Sequence, residues 1–438
     1  MTVIPLTPSP AQLHWQQLEF GVFIHFGINT FAGKEWSDGT IPASTFNPTD
    51  LDAGSWVRAA KAAGARYLIL TAKHHDGFCL WPTATTDYSV SSSPWRGGGG
   101  DVVREVADAC AAEGIGLGLY LSPWDRNAKC YNDPAAYDDF YVQQLTELCT
   151  GYGPLMELWF DGAGSVGRSY DWERIMSVAK EHQPDAMIFN MGQPTIRWVG
   201  NEDGLAADPV LYTVDATADT QYTETSSSLD APRYLPPECD VSIRRGWFWH
   251  PDDRPKTVEH LLAIYYRSVG MGANLLLNLP PDTRGLLPEE DIQRLRAWRA
   301  ELDRRLSGSV EATIEHHDAG ATLRFPAPVT FNHLELVEEL SQGQRITAHS
   351  VHSGDTELVA GMTVGNRRLH HLPVTTAGVL EVRLSDSDGS DGSGASGAGG
   401  RGSASGCLLA SARVHTGALD AALPTIPEGY EAPTDAPD

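Results

Sequence analysis

At 438 residues the chain has room for one barrel-sized domain and a smaller second one, and a core of that size needs neither disulfides nor metal. With 32 basic against 57 acidic residues, a formal charge of −25, it lacks the basic field that would hold nucleic-acid phosphates or an anionic membrane. Its six cysteines (Cys79, Cys110, Cys130, Cys149, Cys239, Cys407) are scattered without a CxxC pair, which fits reduced thiols rather than a disulfide framework or a zinc site.

The N-terminal stretch MTVIPLTPSPAQLHW has neither a basic nor an apolar leader region, and no later stretch is long and apolar enough to span a membrane; a soluble cytoplasmic protein is expected. Residues 20–27 form an apolar run closed by His25 and Gly27, a first strand. Residues 51–64 carry apolar side chains near helical spacing, with Gly64 as the stop. A second strand over 67–71 runs straight into Lys73-His74-His75-Asp76-Gly77. Asp101 caps a helix to about Glu113, Gly114 ends it, and 115–121 is a third strand leading into Ser122-Pro123-Trp124-Asp125. Pro134 opens a helix that closes near Gly151.

The strand over 156–161 then ends in Asp161 and Gly162. An unpaired Asp is costly in so apolar a setting. It therefore belongs at the strand's C-terminal end, either as a catalytic carboxylate or as the cap of the next helix. A helix over 170–182 and a strand over 186–190 follow, and Arg197 to Glu202 leads into a polar, irregular stretch over 204–237, expected to form active-site loops rather than core. Residues 240–244 read as a seventh strand, 258–269 as a helix, 274–279 as an eighth strand and 288–306 as a closing helix.

Strands alternating with helices at this spacing predict a parallel sheet closed into a (β/α)8-like barrel over 1–306. Polar or aromatic residues recur at the predicted strand ends: His25, His74, His75, Trp124, Asp161 and Glu202. That is where a barrel places its active site. Beyond about 307 the pattern changes to short alternating runs (312–315, 321–325, 331–337, 346–351, 369–372, 379–384) without helices, which predicts an antiparallel β-sandwich over 307–420. Residues 385–406 are Gly/Ser/Asp-rich and read as a flexible loop, 407–414 as a returning strand, and 421–438 as a disordered tail.

Two carboxylates, several His and Trp, and no nucleotide-binding glycine loop point to glycoside hydrolysis, in which one carboxylate lies beneath the sugar and one carboxylic acid stands beside the leaving oxygen. Histidines would fix hydroxyls, and tryptophan faces would pack on the sugar's apolar side. With the stretches GVFIHFGINTF, EWSDG, LTAKHHDGFCLW, LGLYLSPW, ELWFDGA, RWVGNEDG, ECDVSIRRGWFWH and YYRSVGMGANLLLNLPPDTRGLL in order, and FNHLELVEELSQGQRITAHSV beyond them, the chain resembles glycoside hydrolase family 29, the α-L-fucosidases, in particular its α-1,3/1,4-specific branch. The resemblance implies a retaining reaction on fucosylated oligosaccharides or glycoconjugates. No metal or other cofactor is expected, because the sequence has no ligand set with open-site spacing. It also implies Asp161 as nucleophile, Glu202 as general acid/base with Glu224 or Glu238 as alternatives, and His25, Glu35, Trp36, His74, His75, Tyr120, Trp159 and Arg197 around the fucose. Trp247 and Trp249, two apart, would share a face if extended and form either an aglycone platform or ordinary packing.

Two rival readings stand beside this one. His74-His75-Asp76 could serve a metal-dependent barrel hydrolase. Adjacent histidines on a strand point to opposite faces, however, and no HExxH is present. A fucose-binding protein without catalysis is the alternative from another class, and the presence of both carboxylates weighs against it.

Overall fold

The apolar runs become the staves of one parallel sheet. In the computed structural model, which describes residues 6–165, 167–218, 226–386 and 408–428, the strands are β1 (Phe20–Ile24), β2 (Tyr67–Lys73), β3 (Gly116–Leu121), β4 (Glu157–Trp159), β5 (Met187–Phe189), β6 (Arg197–Trp198), β7 (Pro237–Ser242) and β8 (Asn274–Asn278). They pair in parallel in the order β5-β4-β3-β2-β1-β8-β7-β6, and a parallel bridge between Phe189 and Ile196 joins β5 to the approach of β6. The result is the expected (β/α)8-like barrel.

Alternation along each strand divides the core in two. Val22, Ile24, Leu68, Leu70, Leu119 and Leu158 face outward onto the helices, while Phe23, Tyr67, Ile69, Tyr120, Trp159 and Leu276 fill the interior. The helices begin and end where the sequence says. Asp101 accepts from Arg104 N at 2.8 Å at the start of the helix Val102–Glu113, and Gly114 closes it in the left-handed conformation. Pro134–Gly151 starts with Asp133 accepting from Ala136 N at 3.2 Å. An additional helix, Pro10–Leu18, lies ahead of β1. Its Ser9/Gln12 capping box is legible in the sequence.

The expectation of loops over 204–237 is corrected in part. Thr213–Ala218 and Ser226–Tyr234 form an antiparallel hairpin, and Ala206, Val210, Tyr212 and Tyr234 make a small buried cluster. The stretch looks polar because its tyrosines bury their rings and still satisfy their hydroxyls: Tyr212 donates to Gly272 O at 2.6 Å and Tyr234 to Gln16 Oε1 at 3.0 Å.

Among the described residues, seven antiparallel strands build the C-terminal β-domain around Leu323, Phe331, Leu334, Leu336, Val351, Val382 and Val414. The runs at 321–325 and 331–337 are one strand, Gly320–Glu338, because the chain passes Pro326 and Pro328 through a register shift instead of turning. The runs at 369–372 and 379–384 are likewise one strand, Arg368–Asp386. Thr356–Gly361 is a strand the alternation did not reveal. Of the predicted loop over 385–406, all beyond Asp386 lies outside the described residues.

The predicted disordered tail is corrected at its start. Thr425 N donates to Glu259 Oε1 at 3.2 Å, Arg305 Nη1 to Ala422 O at 2.7 Å, and Ile426 packs on the barrel core. Residues 429–438 lie outside the described residues. No helix among the described residues is long and apolar enough to cross a membrane, and Cys79, Cys110, Cys130, Cys149 and Cys239 are free.

Candidate active site

Asp161 lies two residues past the end of β4, at the C-terminal mouth of the barrel. Its Oδ1 accepts from the backbone N–H of Ala163 at 2.8 Å and its Oδ2 from the Tyr120 hydroxyl at 3.0 Å. His75 Nε2 stands 3.6 Å from the same Oδ2, and about a quarter of the Asp161 side chain remains exposed. The turn that follows is fixed by Gly164, whose φ of +68° suits glycine and where an added Cβ would lie 2.0 Å from the Trp124 ring. Asp161 is thus a braced and accessible carboxylate. It makes no cap to the next helix, Trp172–His182, whose N-cap is Asp171.

The histidines owe their tautomers to partners far along the chain. Asn278 uses its amide N–H groups on Ser242 Oγ and Trp247 O, so its Oδ1 accepts from His25, 2.9 Å from Nδ1. The Ser122 hydroxyl donates to Trp124 O at 2.7 Å, so its oxygen must accept from His75 Nδ1, also at 2.7 Å. Each ring therefore carries an unprotonated Nε2, and that of His75 is the atom beside Asp161. Burial keeps both neutral, lowering His25 to about 3 and His75 to about 4, the latter despite the opposing pull of Asp161. Burial lowers His74 well below the usual imidazole range as well.

His74 and His75 do not point to opposite faces, as adjacent strand residues would. β2 ends at Lys73, after a register shift against β3, and the two rings lie 4.2 Å apart beyond its end. Lys73 secures this corner through a buried ion pair with Asp125, 3.0 Å, and a bond to Gln144, 2.9 Å. Asp76 turns back to accept from Phe78 N at 2.7 Å, a local turn contact. Among the described residues no group of three or more His, Cys, Asp or Glu is placed to hold a metal ion.

Aromatic rings complete the cleft. Trp159 lies between Phe189, stacked at 3.9 Å and 11°, and Tyr120, stacked at 5.3 Å and 27°, and so forms the floor. Trp36 stands edge-on to His75 and Trp124 at 5.3 and 5.5 Å. Trp247 leans on His25 at 5.0 Å and donates from Nε1 to Glu202 Oε2 at 3.4 Å, which ties Glu202 to the same cleft. Glu35 accepts from the backbone N–H groups of Trp247 (2.8 Å) and Phe248 (3.3 Å). Burial outweighs those two donors and pushes its carboxyl up to about 7.

Three expected residues fall elsewhere. Arg197 sits on the outer side of β6, bonding Trp198 O and Leu211 O, because its neighbour Trp198 takes the inward position. Residues 243–248 bend and form no strand, so the extended geometry expected to align Trp247 with Trp249 is absent there; Phe248 presents its ring to His25 and His74. Glu238 is fully buried inside the barrel, bonded to Tyr67 and Trp159, and has no access to the cleft. Glu224 lies outside the described residues. Ser122, Asn278 and Phe248 are the contributors that sequence reasoning missed. The partners of the first two are 47 and 253 residues away, so no local signal marks them.

Neutral imidazole acceptors and aromatic faces around a braced carboxylate, at the mouth of a parallel barrel, place the protein among the barrel glycoside hydrolases. The α-L-fucosidase family model matches residues 41–302. α-L-Fucosidase 1 of Arabidopsis thaliana is 42% identical over 414 residues, covering 84% of this chain and 82% of its own. A glycoside hydrolase 29 family member from an unknown rumen bacterium superposes with a TM-score of 0.82 at 32% identity, over 94% of this chain and 78% of that one. A Ruminococcus gnavus GH29 fucosidase, solved in complex with fucose, does so with a TM-score of 0.76 at 29% identity, over 88% of this chain and 92% of that one. The chain belongs to the α-L-fucosidase family, glycoside hydrolase family 29, and is a fucose-releasing glycosidase.

Proposed function

We propose that the protein is an exo-acting, retaining α-L-fucosidase that removes terminal α-1,3/1,4-linked L-fucose from oligosaccharides or glycoconjugates through a covalent fucosyl-enzyme. The observation that carries this reading is the setting of Asp161, held on one oxygen by Ala163 N–H and on the other by the Tyr120 hydroxyl, with part of its surface open to the cleft. In the first step Asp161 attacks C1 from the face opposite the glycosidic oxygen while Glu202 gives that oxygen its proton. The C1–O bond breaks, the glycan leaves as an alcohol, and an ester to Asp161 forms. In the second step Glu202, now a carboxylate, takes a proton from water as the water oxygen attacks C1. The ester bond breaks, Asp161 leaves as a carboxylate, and fucose departs in its original α configuration. Neither step calls for a metal or other cofactor.

His25 and His75 accept from fucose hydroxyls through their unprotonated Nε2 atoms. Fucose bound in the Ruminococcus gnavus enzyme supports the choice of sugar. The bond from Trp247 to Glu202 supports the linkage preference, because a second sugar on the leaving side would meet that indole. Binding energy from such a remote sugar can be used to align the reacting centre. The test is to hydrolyse a Lewis-type trisaccharide beside 2′-fucosyllactose while following the released sugar by NMR. Faster release from the trisaccharide, with α-fucose appearing first, is expected. Initial β-fucose, or faster hydrolysis of the α-1,2 linkage, would overturn the reading.

A further inference from the structure

The barrel interior beneath Asp161 holds carboxyls that neither step uses. Glu157 on β4 and Glu238 on β7 are fully buried, and their carboxyls act directly on one another. Two neighbouring carboxyls can share a hydrogen bond only if one of them carries a proton. The surrounding donors decide which. Glu238 Oε2 accepts from the Tyr67 hydroxyl at 2.7 Å and Oε1 from Trp159 Nε1 at 3.1 Å, so both of its oxygens act as acceptors. Glu157 Oε2 accepts from Trp15 Nε1 at 3.0 Å, whereas its Oε1 meets no donor. The proton therefore sits on Glu157 and is given to Glu238, which keeps the charge and collects three donors. Burial, and then the neighbouring charge of Glu238, hold Glu157 well above the usual carboxyl range. Burial raises Glu238 as well, to about 7, but there Tyr67, Trp159 and Glu157 pull the carboxyl back down, so Glu157 is the partner that holds the proton more firmly.

We propose that Glu238 is a positioning residue of the active site, a buried carboxylate that fixes Trp159 and, through it, Tyr120 and Asp161, with Glu157 as its proton-bearing partner. The chain of contacts is short. Glu238 anchors the Trp159 indole, the Trp159 ring stacks on Tyr120, and the Tyr120 hydroxyl donates to Asp161. Strand β1 makes room for the arrangement: a Cβ on Gly21 would lie 2.4 Å from the Tyr67 ring, so only glycine lets Tyr67 reach Glu238. The functional part of the proposal rests on Asp161 being the nucleophile; the proton's location does not.

The two isosteric variants should behave differently. In Glu157→Gln the amide oxygen can accept from Trp15 while its N–H donates to Glu238, which reproduces the native pattern. In Glu238→Gln a single oxygen must replace two acceptors, and the amide N–H confronts either Tyr67 or Trp159. Expected are a kcat close to wild type for Glu157→Gln, and a fall in kcat of about a hundredfold with little change in KM for Glu238→Gln, because small misplacement of a reacting group has that effect. The infrared spectrum of wild type minus Glu157→Gln should show one protonated-carboxyl C=O band lost. That band is read without substrate, so it separates failure of this proposal from failure of the Asp161 assignment, and it decides the point even where Glu238→Gln does not fold. No band lost, or a kcat for Glu157→Gln as low as that for Glu238→Gln, would overturn the proposal.

Discussion

Replacing Tyr120 by Phe removes one hydroxyl from the wall of the site and nothing else. That hydroxyl donates at 3.0 Å to Asp161 Oδ2. Asp161 is charged in the free enzyme, neutral in the ester and charged again as it leaves. A hydrogen bond to a charged group is worth about 1.5–3 kcal/mol, which at about 1.36 kcal/mol per decade is a factor of about 10 to 150. That factor is the upper limit for the second step, where the departing carboxylate is regaining its charge in the transition state. In the first step the same bond weakens on the way to the ester, so its removal there costs little. The ring keeps its stacking on Trp159 and His74, so the fold should persist. The expected result with an aryl fucoside is a pre-steady-state burst, with kcat and KM falling together and kcat/KM nearly unchanged. Equal losses in kcat and kcat/KM without a burst, or no loss at all, would refute the reasoning.

The other predictions address the acid/base, the buried carboxyl of Glu35 and the metal. Glu202→Ala should cost a natural glycan far more than an aryl fucoside with an acidic phenol, and azide should restore turnover as β-fucosyl azide; equal losses without azide rescue would remove Glu202 from the role. Glu35 titrates at about 7 in the folded protein against an ordinary 4.5, so its contribution to stability is full below about 4.5 and is lost as pH rises through 7. Glu35→Gln abolishes that loss and should raise the melting temperature at pH 8.5, by an effect on the order of 3 kcal/mol at most, and not at pH 4.5. A gain confined to acid pH would contradict the sign. A chelator should leave turnover unchanged, and loss of activity restored by one divalent ion would show a metal-dependent reaction.

The barrel was legible because both of its cores repeat at short range. The apolar runs over 67–71 and 115–121, the cap Asp101 and the helix-opening Pro134 are local, and each marks an element correctly. What failed was non-local. His74 and His75 looked opposed because nothing in the sequence shows that β2 stops at Lys73, a limit set by Asp125 and Gln144 from later in the chain. Trp249 was included because a period of two was assumed for a segment that bends. Arg197 and Trp198 could not be sorted inward or outward without the register of β6 against β7. Glu238 stood as an alternative acid/base because the donors that hold it inside the barrel, Tyr67 and Trp159, come from strands far away in sequence and leave no local mark. The strands Gly320–Glu338 and Arg368–Asp386 were each read as two because prolines and small residues in their middles resemble turns.

The central claim is that Asp161 attacks the anomeric carbon. Incubation with a 2-fluoro-fucosyl fluoride, which forms the ester but slows its hydrolysis, followed by proteolysis and peptide mass spectrometry, tests it most directly. The account predicts a single fluorofucosyl label on Asp161, in the peptide carrying Trp159-Phe160-Asp161-Gly162, and no labelling of Asp161→Asn. A label on Glu202, Glu35 or any other carboxyl, or undiminished labelling of the Asn variant, would contradict it.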